Sequence, residues 1–136
     1  MSIHMSACGV ICSECPAYRA REANDPAERA RVAQAWHELF DLSFTADQIP
    51  CGGCLGPHED VFCTSRECAA RRCCLARGLA SCAECPDRPC PHLERAQSNW
   101  DGLESRAESL PVAVFREFFL PYCHARDRVP SEGARP

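Results

Sequence analysis

The chain has 136 residues, 13 cysteines and a formal charge of -4, which fits one ordinary domain. Its basic residues are all arginine, and the acidic balance disfavours nucleic acid binding through a broad basic surface. No segment approaches the roughly 18 apolar residues of a membrane span, and the start, MSIHMSACGVICSEC, lacks the basic and apolar regions of a signal peptide. A cytoplasmic location is expected, and there cysteine richness reads as metal binding rather than a disulfide scaffold.

The hydrophobic 46% includes 19 alanines and 13 cysteines, leaving only 30 large apolar side chains. Such a thin core calls for staples. Asn24-Asp25-Pro26 predicts a helix start with Asp25 as N-cap and Pro26 at the first helical position. Val32, Trp36, Leu39 and Phe40 follow at helical spacing, with Trp36 a core anchor and His37 exposed. Thr45 and Gln48 have capping-box spacing in SFTADQIP, a short turn that delivers the chain to Cys51.

The run CGGCLGPHEDVFC reads as loop, with His58, Glu59 and Asp60 an exposed polar stretch. Thr64 with Glu67 suggests a second capping box, opening a helix from Ser65 to Arg77 that Gly78 ends. On such a helix Cys68 and Cys73 would lie about 140° apart, so a shared ion would need a helix end or distortion. Pro91 can start a helix through Leu93, Ala96 and Trp100; Ser109 with Pro111 can start another carrying Val114, Phe115, Phe118 and Leu120 until Pro121 stops it. The expected organisation is a single cysteine-rich metal-binding domain over residues 1–125 with a disordered tail over 126–136. The fold class is mainly α, a small irregular metal-stabilised domain of short helices joined by cysteine knuckle loops.

Three CxxC pairs stand out: Cys12 with Cys15, Cys51 with Cys54, and Cys82 with Cys85. Each lets two thiolates from one tight turn approach one ion, and two such turns complete a tetrahedral site. Cys8, Cys63, Cys68, Cys73 and Cys90 are further candidate ligands. Proximity in sequence groups Cys51, Cys54, Cys63 and Cys68 in one site and Cys73, Cys82, Cys85 and Cys90 in another. The triplet Cys8, Cys12 and Cys15 is left seeking a fourth ligand from Cys74, Cys123, His4, His92, His124, solvent or a small ligand. Cys74 and Cys123 otherwise read as buried structural thiols.

The expected cofactor is zinc, two or three ions, each four-thiolate site adding a charge of about -2. An iron-sulfur cluster is the alternative, because Cys15, Cys85 and Cys90 each precede proline, as at the end of bacterial ferredoxin motifs. The CxxxCxxC spacing of Cys8, Cys12 and Cys15 also occurs in radical enzymes, but the chain lacks their long alternating pattern of strands and helices. No strand-to-helix context supports a thioredoxin-like dithiol. No catalytic constellation is legible either, so the reading leans away from an enzyme.

CGVICSECPAY, a tryptophan helix, IPCGGC, then CAARRC with ARGLASCAECPDRPCPHL, taken in order, resemble the cysteine-rich, zinc-binding family grouped as domain of unknown function 3795. The resemblance spans Cys8 to Leu93. It implies that Cys8, Cys12, Cys15, Cys51, Cys54, Cys68, Cys73, Cys82, Cys85 and Cys90 belong to a shared pattern, with Cys63 alongside and Cys74 and Cys123 outside. The functional expectation is a module stabilised by structural zinc that meets a protein partner. Electron transfer or sensing by a cluster, and handling of a small molecule or thiophilic metal at an open three-thiolate site, are the competing readings.

Overall fold

The computed structural model describes residues 4–130. Among these residues seven α-helical segments and five single 3-10 turns carry the chain, and the extended pairing is one isolated bridge between Met5 and Ile11. The mainly α expectation holds. No helix among the described residues is long and apolar enough to cross a membrane.

Helices α1 (Pro16–Ala23) and α2 (Pro26–Phe40) form a tight hairpin. Asn24 takes the left-handed conformation that ends α1, and the Asp25 carboxylate accepts the Ala27 amide at 3.0 Å to start α2. Val32 and Trp36, four apart, face inward. Trp36 packs edge-on against Phe44 and Phe62, whose own ring centroids lie 4.9 Å apart. Three aromatic rings thus pin two loops to one helix, which offsets the scarcity of large aliphatics. The expected capping box at Thr45 and Gln48 forms around the 3-10 turn Ala46–Gln48.

The loop from Ile49 to Cys68 is glycine-rich at its start, yet Ile49 and Val61 are fully buried and anchor it from both ends. Helix α3 (Ala69–Arg77) starts later than the sequence suggests. Thr64 makes no side-chain cap, Ser65–Glu67 is a separate 3-10 turn, and Cys68 itself occupies the N-cap position in extended conformation. From α3 the buried Arg71 reaches back to the carbonyls of Cys54 at 2.6 Å and Gly56 at 3.1 Å. Its guanidinium thereby satisfies loop carbonyls that have no ladder partner.

Helix α4 (Pro91–Ser98) stops short of the expected Trp100. It is followed by α5 (Leu103–Ala107), α6 (Val112–Phe118) and α7 (Ala125–Arg128). The packed chain continues past residue 125, where the sequence boundary was drawn. Val129 is fully buried, and Arg126 holds Glu94 and Asp101 in a bidentate fork each. Residues 131–136 of the expected disordered tail lie outside the described residues.

Gln97 fastens the two ends of the chain together. Its buried side-chain amide donates to the carbonyls of Cys8 at 3.0 Å, Val129 at 2.7 Å and Ala125 at 3.4 Å. Replacing this group with Leu leaves buried carbonyls without a donor, so Gln97→Leu is expected to cost roughly 2–4 kcal/mol. Gln97→Glu should be worse at neutral pH, because a carboxylate would face three carbonyl oxygens. Urea denaturation of the two variants beside the unmodified protein checks both the loss and its order.

Candidate metal centre

Two of the three CxxC turns meet. The first is a single 3-10 turn, Cys12–Glu14, closed by the Cys15 amide on the Cys12 carbonyl at 3.0 Å, and it leads directly into α1. The first turn of a helix has amides without intrahelical partners, and here those of Ala17 and Tyr18 point at the Cys15 sulfur. The second turn is tied to α1 by the Cys51 amide, which donates to the Ala17 carbonyl at 3.2 Å. Gly53, at φ +101°, supplies the left-handed bend between Cys51 and Cys54, which a side chain would strain.

Backbone amides converge on the other sulfurs as well. That of Phe62 donates to Cys51 at 3.3 Å, while those of Cys54 and Ala7 favour the ionised forms of Cys12 and Cys54. The Tyr122 hydroxyl, brought in by the turn after α6 and stacked on Trp100, lies 3.0 Å from the Cys15 sulfur. Each of the four sulfurs therefore has at least one N–H near it. Among the described residues no cationic side chain is hydrogen-bonded to any of them.

Burial pushes the Cys12 thiol far above its ordinary range, and the neighbouring thiols of Cys54, Cys15 and Cys51 push the same way against the Cys54 amide. Burial also raises Cys15, opposed by the Tyr122 hydroxyl and the amides of Ala17 and Tyr18. Cys54 is pushed up to about 12 by burial, with the Ala7 amide opposing and Cys8 and Cys68 adding. Tyr122 is itself raised by burial and by Cys15.

The third turn, Cys82–Glu84, is N-capped by Ser81 and docked on the N-terminal loop through the Cys82 amide, 2.9 Å from the Ala7 carbonyl. Its Cys82 sulfur lies 3.7 Å from that of Cys74, and burial, Cys74, Cys8 and Cys90 raise its pKa. Arg77 donates to the Cys85 sulfur at 3.2 Å and also engages Cys73. Cys8, held by the Ser6 hydroxyl at 3.4 Å, is near enough to both Cys54 and Cys82 to influence each. The thiols form one seam that runs across the sequence-local groups, in which Cys68 still adjoins Cys54 and Cys90 adjoins Cys82.

Cys51 and Cys54 face Cys12 and Cys15. Cys63 lines a surface depression with Arg21, Asp60 and Arg66, and Cys68 lies toward Cys54 and Cys74. The triplet of Cys8, Cys12 and Cys15 does not stand by itself. His4, His58, His92 and His124 are exposed, and His124 is engaged by Glu104 at 2.9 Å. Cys123 is a buried thiol, as expected. None of the cysteines is in a disulfide. Among the described residues no three Cys, His, Asp or Glu side chains close to metal-ligand geometry around one point.

The neighbours of three participants are not legible in the sequence. Cys74 reads there as a buried thiol or a fourth ligand for the Cys8, Cys12 and Cys15 triplet, whereas the reversal at Gly78 places Cys82 beside it. Arg77 carried no signal beyond its place near the helix end. Tyr122 was invisible, since nothing in its local sequence ties it to Cys15, 107 residues away.

The raised thiols fix the sign of one pH effect. Without metal the folded chain holds the protons of Cys12, Cys15, Cys54 and Cys82 more tightly than the unfolded chain, whose thiols titrate near 9.0. Their contribution to stability is fully present below that pH and is lost as pH rises above it. Metal-free protein is expected to denature at lower urea at pH 9.5 than at pH 7.5, read by circular dichroism.

A family model described as a protein of unknown function (DUF3795) matches residues 4–95, which include every cysteine of the seam. No curated protein and no solved structure matches the chain. With more than half of its length matched and the cysteine turns in order, the chain belongs to the DUF3795 family.

Proposed function

We propose that this protein is a thiolate metal-binding module, with zinc as its structural ion and Cys12, Cys15, Cys51 and Cys54 as the principal ligands. The observation that carries this reading is the pairing of two CxxC turns, with the Phe62 amide hydrogen-bonded to the Cys51 sulfur at 3.3 Å and backbone amides near the other three sulfurs favouring their ionisation. Amides aimed at sulfur stabilise thiolates and serve neutral thiols only weakly. Four such donors with no cation hydrogen-bonded among the sulfurs make a donor set suited to a thiophilic divalent ion.

A bound zinc ion would supply the positive charge that lets neighbouring buried thiols ionise together. The chain's own residues do the rest. The start of α1 orients Cys12 and Cys15, Arg71 and Phe62 hold the loop that carries Cys51 and Cys54, and Tyr122 donates to Cys15 from outside the set. Such outer donors fix ligand orientation and raise affinity. Because the two turns come from distant parts of the chain, joining them would close the α1–α2 hairpin and its aromatic loop into one loop held by metal.

Elemental analysis of untagged, anaerobically purified protein is the direct test. Stoichiometric zinc, lost by one ion in both Cys12→Ser and Cys51→Ser, supports the module; iron with acid-labile sulfide, or no metal at all, overturns it. Tyr122→Phe should bind zinc about tenfold more weakly while keeping the stoichiometry, measured by competition with a chromophoric chelator.

A further inference from the structure

We infer that Cys74, although outside the pattern of cysteines implied by the family resemblance, is a ligand of a second thiolate metal site, formed with Cys82 and Cys85 and closed by Cys8. The inference rests on the proposed thiolate chemistry of the module but concerns different residues.

The geometry begins with the end of α3. Gly78 turns left-handed at φ +68°, its amide capping Cys74 and Leu75, and the Leu79 amide returns to the Cys74 carbonyl at 2.9 Å. This reversal folds Ser81 and Cys82 back against the helix. The Cys74 side chain, 1% exposed, faces inward, and its sulfur lies 3.7 Å from that of Cys82. A disulfide needs about 2.05 Å between sulfurs. Two thiolates on one tetrahedral zinc, each about 2.3 Å from it, stand about 3.8 Å apart. The observed separation, that of a thiol–thiol hydrogen bond, is also compatible with two ligands on a shared ion.

Two more sulfurs lie near enough to influence this pair, Cys85 acting on Cys74 and Cys8 on Cys82. Cys85 belongs to the same turn as Cys82, closed by the Cys85 amide on the Cys82 carbonyl at 3.0 Å, so the CxxC geometry can bring both sulfurs to one ion. Cys8 is carried to Cys82 by the bond between the Cys82 amide and the Ala7 carbonyl, and the Ser6 hydroxyl holds its sulfur at 3.4 Å. Among the described residues no cationic side chain is hydrogen-bonded to Cys74, Cys82 or Cys8, whereas Arg77 sits on Cys85 from the outside at 3.2 Å. Four thiolates with Arg77 beside one of them and Arg128 near Cys8 make a strongly negative set, most of whose charge a divalent ion would offset.

Cobalt(II) titration and native mass spectrometry of the full chain test this site separately from the first. The unmodified protein is expected to take up two ions with intense thiolate-to-cobalt charge transfer. Cys74→Ala, a small change at a buried position, should lose one ion, and Cys12→Ser should lose the other. Retention of two ions and unchanged charge transfer in Cys74→Ala overturns the second site while leaving the first intact. Absence of metal from the unmodified protein overturns both. Where Cys74→Ala fails to fold, stepwise zinc removal from the unmodified protein with maleimide footprinting decides. Labelling of Cys74 in step with Cys82 and Cys85 supports the site, and labelling unconnected with theirs overturns it.

Discussion

The structure depends on burying many thiols together without stranding their hydrogen-bonding partners. A neutral thiol is small and apolar enough to sit in a core, but an amide directed at it gains little unless the sulfur carries charge. In this chain the Phe62 amide is hydrogen-bonded to sulfur and the amides of Ala7, Ala17, Tyr18 and Cys54 lie where they favour thiolates. That placement decides how the loops lie. The first CxxC turn must lead into α1 so that free helix-start amides reach Cys15, and the second must lie over Ala17 so that Cys54 can reach Cys12.

The conventional core is arranged around the same seam. Trp36, Phe44 and Phe62 clamp the loop that ends beside Cys51, and Arg71 satisfies that loop's carbonyls from within. An arginine is suited to this task because its planar fork supplies several donors from one buried stem. On the other side of the seam, Gln97 and Arg128 join the N-terminal loop to the C-terminal segment, the latter donating to the Gly9 carbonyl. Gly9 has no room for a side chain there, since a Cβ would lie 2.5 Å from the Ala125 carbonyl oxygen. The C-terminal helices, beyond the family-matched residues, are therefore packed directly against the cysteine turns.

Local chemistry was the legible part of the sequence. Asp25-Pro26, Thr45 with Gln48, and Gly78 each act within a few residues, and each does in the structure what its side chain or backbone freedom dictates. The CxxC turns were legible for the same reason. Thr64 misled because a capping box needs the chain to enter a helix at once, whereas Ser65–Glu67 closes as a separate turn and leaves Cys68 to begin α3. Which thiols become neighbours was not legible, because sequence proximity carries little weight once Arg71, Phe62 and Ala7 set the loop positions. Cys63 follows Phe62, whose amide meets the Cys51 sulfur, and lines a surface depression, while Cys12 is distant in sequence and adjoins Cys54.

The C-terminal segment bears on why the seam is enclosed. Tyr122 places a phenol 3.0 Å from the Cys15 sulfur, and its pKa is raised by burial and by that thiol, so it is held neutral and able to donate to Cys15 as a thiolate. A neutral donor stabilises a thiolate without neutralising it, leaving the charge for an ion to balance. The aromatic stack with Trp100 fixes the ring, and the turns after α4 and α6 bring the two residues together. Burial disfavours an isolated thiolate but strengthens its attraction to a bound cation. The same enclosure that holds the thiols protonated in the absence of metal would therefore favour tight retention of a thiophilic ion once their protons have left.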